Sequence, residues 1–351
     1  MRFLRQLSAK ELKDKICLLR VDFNVESNED SFRIAASIPT IKYLLKKKAR
    51  VVLLSHKGRP IQVQSSKLKV KSLGSKYDFY NFDLSLKFAL PILKKHLKTT
   101  IKFLDKIPEK LPKGKLFLLE NLRFWKGEEA NDREFAKRLA VIGDFYINDA
   151  FAVCHRANAS VTQLPKLLPA YCGLLLEKEL ANLSGVMKSP KKPLVVIFGG
   201  AKIADKTPAI KNLLKKSDRI LLGSAAVNNG KYIPISEKII HPIDWLGEDY
   251  LALDIGSLTL EWYLQELKKA KTIIWNGPLG KFEDKKYAKG SIIVANVIAE
   301  SKAFSLAGGG ETTQLITELG LEKKFSFLST GGGAMLEFLS GKKLPGIEAL
   351  K

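Results

Sequence analysis

Short runs of apolar residues alternate along this chain with longer stretches whose apolar positions recur every three or four residues. The runs are "ICLLRVDF", "RVVLLS", "KLFLLE", "DFYIND", "PLVVIF", "RILLG", "KTIIWN", "AFSLA" and "FSFLS". They are apolar at nearly every position, as strands of a parallel sheet covered on both faces must be. Between them, "REFAKRLAVI", "PAIKNLLKKS" and "TTQLITELG" carry the helical period. This alternation predicts an α/β protein with doubly wound parallel sheets. The stretch "YCGLLLEKELANLSGVMKSPKKP" reads as a helix followed by a Ser/Pro/Lys break. With 351 residues to distribute, two Rossmann-like lobes joined by a hinge helix are expected: 1–168, the helix 169–187, and 188–335. Residues 61–82 have no period and read as a surface excursion, and no solenoid repeat is present.

The apolar fraction of 46% and charged fraction of 27% are those of an ordinary soluble protein. No apolar run reaches the ~18 residues of a membrane span. The N-terminus, "MRFLRQLSAKELKDK", has no apolar segment of signal-peptide length, so a cytoplasmic protein is expected. Cys17, Cys154 and Cys172 cannot all pair and lack metal-ligand spacing, which suits free thiols in a reducing compartment. The net charge of +23 raises the question of nucleic acid. The excess is lysine, however, with 48 lysines against 11 arginines scattered over the polar faces of helices. A solvated lysine surface attracts polyanions weakly, so no specific nucleic acid and no membrane partner is expected. The arginines are distributed differently. Ten of the 11 precede residue 157. Arginine suits planar, bidentate recognition of phosphate and carboxylate, so the first half is equipped for a small, multiply charged anion.

Unusual polar residues gather just past the carboxyl ends of the predicted strands, where ligands bind in open α/β sheets. Asp22 and Asn24 close the first strand. "SHKGRP" brings His56 and Arg59, "ENLRF" brings Arg123, and "NDAFAVCHRANAS" brings His155 and Arg156. A capping or surface role would account for any one of them alone. Four strand ends equipped alike describe a basic pocket for a phosphorylated acid.

The second half ends its strands in glycine: "GGAKIADK", "WNGPLGKFE", "GGGET" and "STGGGA". Glycine exposes backbone N–H groups at helix starts, and these bind phosphate. Lys202 and Lys206 place two cations beside one such loop, and Glu311 opens a helix as a candidate metal ligand. No Walker pattern occurs. Tight strand-to-helix turns use single glycines routinely, but four such ends together argue for a nucleotide phosphate chain.

These blocks, with "RVDFNV", "INDAFAVCHRANAS" and "STGGGAMLEFLSGKKLPGIEAL" in the same order, resemble the phosphoglycerate kinase family over nearly the whole chain. The resemblance implies a two-lobed kinase that moves a phosphoryl group between 1,3-bisphosphoglycerate and ADP, giving 3-phosphoglycerate and ATP with Mg2+ in glycolysis. It also implies a monomer that closes by hinge bending, with 336–351 returning to the first lobe. Carried over by motif, Asp22, Asn24, Arg33, His56, Arg59, Arg123 and Arg156 would hold phosphoglycerate. Arg33, Lys202, Gly331, Gly332 and Gly333 would surround the migrating phosphoryl group. Lys206, Asn276, Glu283, Gly308, Gly309, Gly310, Glu311 and Thr312 would hold ATP or ADP, with Glu311 at the metal.

The chain departs from the family at several points. Glu311 stands where the family has Asp, Asn158 where it has a second His, and Glu26 where it has Pro. Lys57 replaces an apolar residue. After "LLGSAAVNNG" the chain is shorter, in the region that helps form the family's adenine pocket. The rival reading is a catalytically weakened homologue that binds nucleotide or polyanions.

Overall fold

Every apolar run predicted as a strand forms one in the computed structural model, which describes residues 1–25, 32–60, 84–229 and 233–351. The excursion expected at 61–82 lies outside the described residues. The chain divides into two units, Met1–Lys178 with Leu344–Lys351, and Glu179–Lys343.

Unit 1 is built on β1 (Ile16–Arg20), β2 (Arg50–Leu54), β3 (Ile101–Leu104), β4 (Leu116–Leu119), β5 (Phe145–Asn148) and β6 (Ala170–Cys172). All pair in parallel, in the order β3-β4-β2-β1-β5-β6. Its helices are α1 (Ala9–Leu12), α2 (Phe32–Lys46), α3 (Ala89–Leu97), α4 (Lys126–Glu129) and α5 (Arg133–Ala140). Leu18, Leu19, Val51 to Leu54 and Leu116 to Leu119 are fully buried, which is why these segments show no polar alternation. The chain runs from β1 outward through β2, then returns to the other side of β1 at β5. That reversal opens a crevice at the carboxyl end of β1.

Ala170–Cys172, expected within a helix starting at 169, is instead the edge strand β6, and the helix α6 spans Leu174–Lys188. The Asp149 carboxylate sets its start by accepting from the N–H groups of Leu175 and Leu176 at 2.8 and 3.2 Å.

Unit 2 carries β7 (Leu194–Phe198), β8 (Arg219–Leu222), β9 (Ile239–Ile240), β12 (Thr272–Asn276), β13 (Phe304–Gly308) and β14 (Phe327–Ser329) in the parallel order β14-β13-β12-β7-β8-β9. A separate antiparallel hairpin joins β10 (Trp245–Glu248) to β11 (Leu251–Ile255). The helices are α7 (Thr207–Leu214), α8 (Ala225–Asn229), α9 (Ser257–Lys269), α10 (Lys289–Glu300), α11 (Gly310–Glu318) and α12 (Gly332–Leu339). Trp275, Tyr263 and Ile197 fill the core. Here the reversal lies between β7 and β12, both of which end in glycine turns. The tail changes unit at Leu344, and α13 (Pro345–Glu348) rests on unit 1, where the Gly346 N–H donates to the Cys154 carbonyl at 2.8 Å.

Candidate active site

At the unit 1 crevice, Asp22 follows β1 and is nearly fully buried. Its Oδ2 accepts from Arg33 Nη1 at 2.9 Å, and the same nitrogen donates to the Asn24 carbonyl at 3.0 Å. Asp22 Oδ1 accepts from the Asn24 N–H at 3.1 Å and lies 3.7 Å from His56 Nδ1. Asn24 Oδ1 in turn accepts from the Gly58 N–H at 2.7 Å, tying the "SHKGRP" turn to the end of β1. Arg123 donates through Nη1 to the Gly58 carbonyl and pairs through Nε with Glu129 at 3.2 Å. Arg156 Nε donates to His155 Nε2 at 3.3 Å. Arg59 extends into solvent. The departure at Lys57 is accommodated, since its ammonium lies 4.1 Å from the centre of the Phe88 ring.

Electrostatics confirm that these cations converge. Burial, then the charges of Arg20, Arg123, Arg156 and Arg33, hold His56 well below its usual pKa. The imidazole is therefore neutral at physiological pH and can still donate one hydrogen bond. Burial also lowers Arg123 to about 10, with Glu129 opposing and Arg156, Arg20 and Arg59 adding to the shift. Four guanidinium groups around one neutral histidine repel one another, so an anion placed among them is strongly favoured.

Arg20 belongs to this cluster and escaped the sequence reading, because it is embedded in the apolar run of β1. It is fully buried, donates through Nε to Ser160 Oγ at 2.9 Å, and lies 3.8 Å from the buried Glu128 carboxylate. Glu128 also accepts from Ser160 N and Oγ at 2.9 and 2.6 Å. Arg20 Nη2 stands 3.4 Å from His56 Nδ1, so this network holds the histidine from behind.

In unit 2 the glycine turns press on one another. A Cβ on Gly199 would lie 1.8 Å from the Pro278 oxygen, and one on Gly277 (φ +91°) would lie 2.2 Å from the Gly199 oxygen. Only glycine permits this approach. Thr312 Oγ1, fully buried at the head of α11, accepts from the Gly277 N–H at 2.7 Å. Asn276 Nδ2 donates to the Gly308 carbonyl at 2.7 Å. Two of the predicted ligand residues thus also lock the turns after β12 and β13 together. A Cβ on Gly200 would come within 3.1 Å of Glu311 Oε2 and 3.3 Å of Lys206 Nζ, which places that carboxylate and ammonium over the same turn. Burial lowers the pKa of Lys206, while Glu311 and Asp205 oppose the shift. Lys202 and Glu283 are exposed, and no described contact joins either to this group.

Gly331 caps α12, and Gly332 opens that helix with φ +24° and open space where a Cβ would point. Glu179, a second residue missed in sequence, positions this turn. Its fully buried carboxylate accepts from Ser329 Oγ at 2.8 Å, the Thr330 N–H at 2.7 Å and Thr330 Oγ1 at 2.8 Å. An acid inside the apolar stretch "GLLLEKELANL" was the available signal.

Among the described residues no group of three or more His, Cys, Asp or Glu side chains could enclose a metal ion. Glu311 nevertheless fits Mg2+, which takes one or two carboxylates and completes its shell with water and substrate phosphate.

The phosphoglycerate kinase family model matches residues 7–232 and 227–342, with its break where the sequence shortens. Phosphoglycerate kinase from Dictyoglomus turgidum is 38% identical over 396 residues, covering 98% of each chain. That of Pseudothermotoga lettingae is 36% identical over 400 residues, covering 99% of each. Among solved structures, phosphoglycerate kinase from Coxiella burnetii superposes with a TM-score of 0.79 at 30% identity, over 99% of this chain and 98% of that one. The enzyme from Pyrococcus horikoshii gives 0.82 at 27% identity, over 100% and 98%. The chain belongs to the phosphoglycerate kinase family.

Proposed function

We propose that unit 1 binds 3-phosphoglycerate or 1,3-bisphosphoglycerate in its arginine-lined crevice, and that unit 2 binds ADP or ATP over its glycine turns. The observation that carries this reading is the contrast between two sheet-reversal crevices in one chain. One is lined by guanidinium groups around a neutral histidine, the other by backbone N–H groups and Lys206. Arg59, Arg123 and Arg156 hold the substrate phosphate, and His56 donates to its oxygens. Arg33, steadied by Asp22, turns toward the group in transfer. Lys202 follows that group, and Lys206 and Thr312 hold the nucleotide phosphates. Gly331 to Gly333 offer N–H groups at the start of α12, close to the migrating oxygens. Glu311 would hold magnesium, which when bound neutralises phosphate charge. Transfer of this kind rests on in-line positioning and cations about the equatorial oxygens, with little covalent help from protein.

A coupled assay tests the proposal. ATP should form from 1,3-bisphosphoglycerate and ADP only with magnesium present, and 3-phosphoglycerate should bind the Arg123→Ala protein markedly more weakly. Absence of turnover with both substrates saturating would sink it.

A further inference from the structure

Helix α8 is five residues long, too short to hold its shape in water by itself. It is fastened at both ends instead. Just before it, the Ser224 N–H donates to the Leu279 carbonyl at 2.7 Å. Near its end, the Asn228 side chain grips one residue of β11 twice. Its Nδ2 donates to the Ala252 carbonyl at 2.9 Å, and its Oδ1 accepts from the Ala252 N–H at 3.0 Å. A side-chain amide offers a peptide unit a donor and an acceptor together.

The contacts continue along β11. The next carbonyl, that of Leu253, accepts from the Lys281 N–H at 2.7 Å. The residue after it, Asp254, is fully buried, and its Oδ2 accepts from the Gly290 N–H at 2.9 Å. A Cβ on Gly280 would lie 2.5 Å from Asp254 Oδ1, so the segment before Lys281 rests directly on this strand. Lys281 stands two residues after Leu279, where the series began. The path from Ser224 along α8 and β11 to Lys281 therefore closes on itself as a ring.

This ring abuts the glycine turns. A Cβ on Gly223 would lie 2.9 Å from both Gly199 Cα and the Leu279 oxygen. Leu279 belongs to the turn that starts at Asn276 and Gly277, whose N–H meets Thr312 Oγ1. The other two links of the ring join backbone to backbone, so Asn228 is the one that a side-chain substitution can open. Asn228 also stands where the family match divides, at the point where the chain is short.

We propose that Asn228 is a positioning residue for the nucleotide, closing a ring that holds residues 276–281 against the neighbouring glycine turn. This rests on the reading of unit 2 as the nucleotide site. With the ring opened at Asn228, those residues must be ordered anew at each binding event, and that conformational cost is subtracted from affinity. They meet the nucleotide alike before and during transfer, so the loss falls on binding and spares turnover. Asn228 acts through the turn on the phosphate side and not through the base. Every nucleoside diphosphate therefore loses affinity alike.

Steady-state kinetics of the full chain with saturating 1,3-bisphosphoglycerate and varied nucleotide test this. Asn228→Ala should raise KM for ADP and for GDP by the same factor, roughly tenfold for two hydrogen bonds, and leave kcat unchanged. Asn296→Ala removes a comparable bond, 2.8 Å to the Ile292 carbonyl on an exposed part of α10, and should leave KM where it was. A role confined to stability would lower the unfolding temperature of Asn228→Ala without moving KM. If Asn228→Ala misfolds, hydrogen exchange on the unaltered protein decides, since ADP with magnesium should slow the Ala252 and Lys281 amides. An unmoved KM in folded Asn228→Ala, a fall in kcat in its place, a loss for ADP that GDP does not share, or exchange at Ala252 and Lys281 indifferent to ADP would each overturn the proposal. Those results leave the nucleotide reading standing, whereas an unaltered protein without turnover would sink that reading and this proposal with it.

Discussion

Arg33 Nη1 lies 2.9 Å from Asp22 Oδ2, so the guanidinium proposed to meet the transferring group is already held by a buried carboxylate. Its stabilisation of developing charge should appear in turnover more than in binding. Arg33→Ala should lower kcat by roughly 10²- to 10³-fold. The 3-phosphoglycerate Kd should move far less, because Arg59, Arg123 and Arg156 remain. Loss of affinity with kcat intact would reduce Arg33 to a substrate anchor.

The glycines separate two kinds of crowding. At Gly277 the obstacle is the protein's own backbone, and Gly277→Ala should destabilise unit 2 by about 3 kcal/mol. Around Gly332, its chain neighbours and the adjoining helix backbone aside, no protein atom lies within 4 Å of the point a Cβ would occupy. Gly332→Ala should cost only about 1 kcal/mol of stability for its positive φ. If the migrating phosphoryl group passes there, kcat should still fall by roughly 10²-fold. Denaturant unfolding beside steady-state kinetics checks both, and normal turnover in Gly332→Ala would remove that glycine from the reaction path.

Two buried groups oppose each other in acid. Folded His56 stays neutral while the unfolded chain takes up a proton below about pH 6.5, so its contribution to stability falls as pH drops through that value. Burial pushes Asp149 up to about 6. Between about pH 6 and 4 the folded state therefore keeps a proton that the unfolded chain has lost, and stability rises as pH falls. The two slopes oppose each other over that window. Asp149→Asn should unmask a loss of about 1.4 kcal/mol per pH unit below pH 6, and His56→Asn should reverse the sign. Unfolding free energies measured from pH 4.5 to 7 would reject this account if all three proteins ran parallel.

Glu311 carries one methylene more than the family's Asp at the head of α11. Glu311→Asp should draw the carboxylate toward the helix and tighten the magnesium dependence of the rate without abolishing it. Glu311→Gln, which lacks the charge, should weaken it. Titration of activity with magnesium distinguishes the three, and an unchanged half-saturation point would exclude Glu311 from the metal.

The residues proposed to hold phosphate in unit 2 are interlocked, but the family match divides at residues 227–232, where the sequence is shorter than the family's. Less enclosure of the base should reduce discrimination, since apolar enclosure is worth about 1–3 kcal/mol. GDP and IDP should support kcat/KM values within roughly tenfold of ADP. A thousandfold preference for ADP would mean that the short segment builds a full base pocket.

The sequence alone determined the strands that are buried on both faces, because burial on both faces removes every polar position from the run. It also determined the chemistry of each strand end, because arginine, glycine and carboxylate declare their capacities wherever they stand. Four stretches did not declare themselves. "IKFL" at 101–104 is a strand with an exposed Lys102, Ala170–Cys172 is three residues long, Ile239–Ile240 is two, and the β10–β11 hairpin exposes its outer strand. Too little burial is imprinted on such segments to leave a period. Arg20 and Glu179 were hidden for a different reason. Their roles depend on Ser160, 140 residues away, and on Thr330, 151 residues away. A side chain's charge is local, but the group that satisfies it is chosen by the crossovers that bring distant strand ends to one edge of a sheet. Only the tertiary structure could show that Arg20 supports His56 and that Glu179 sets the turn at Gly331.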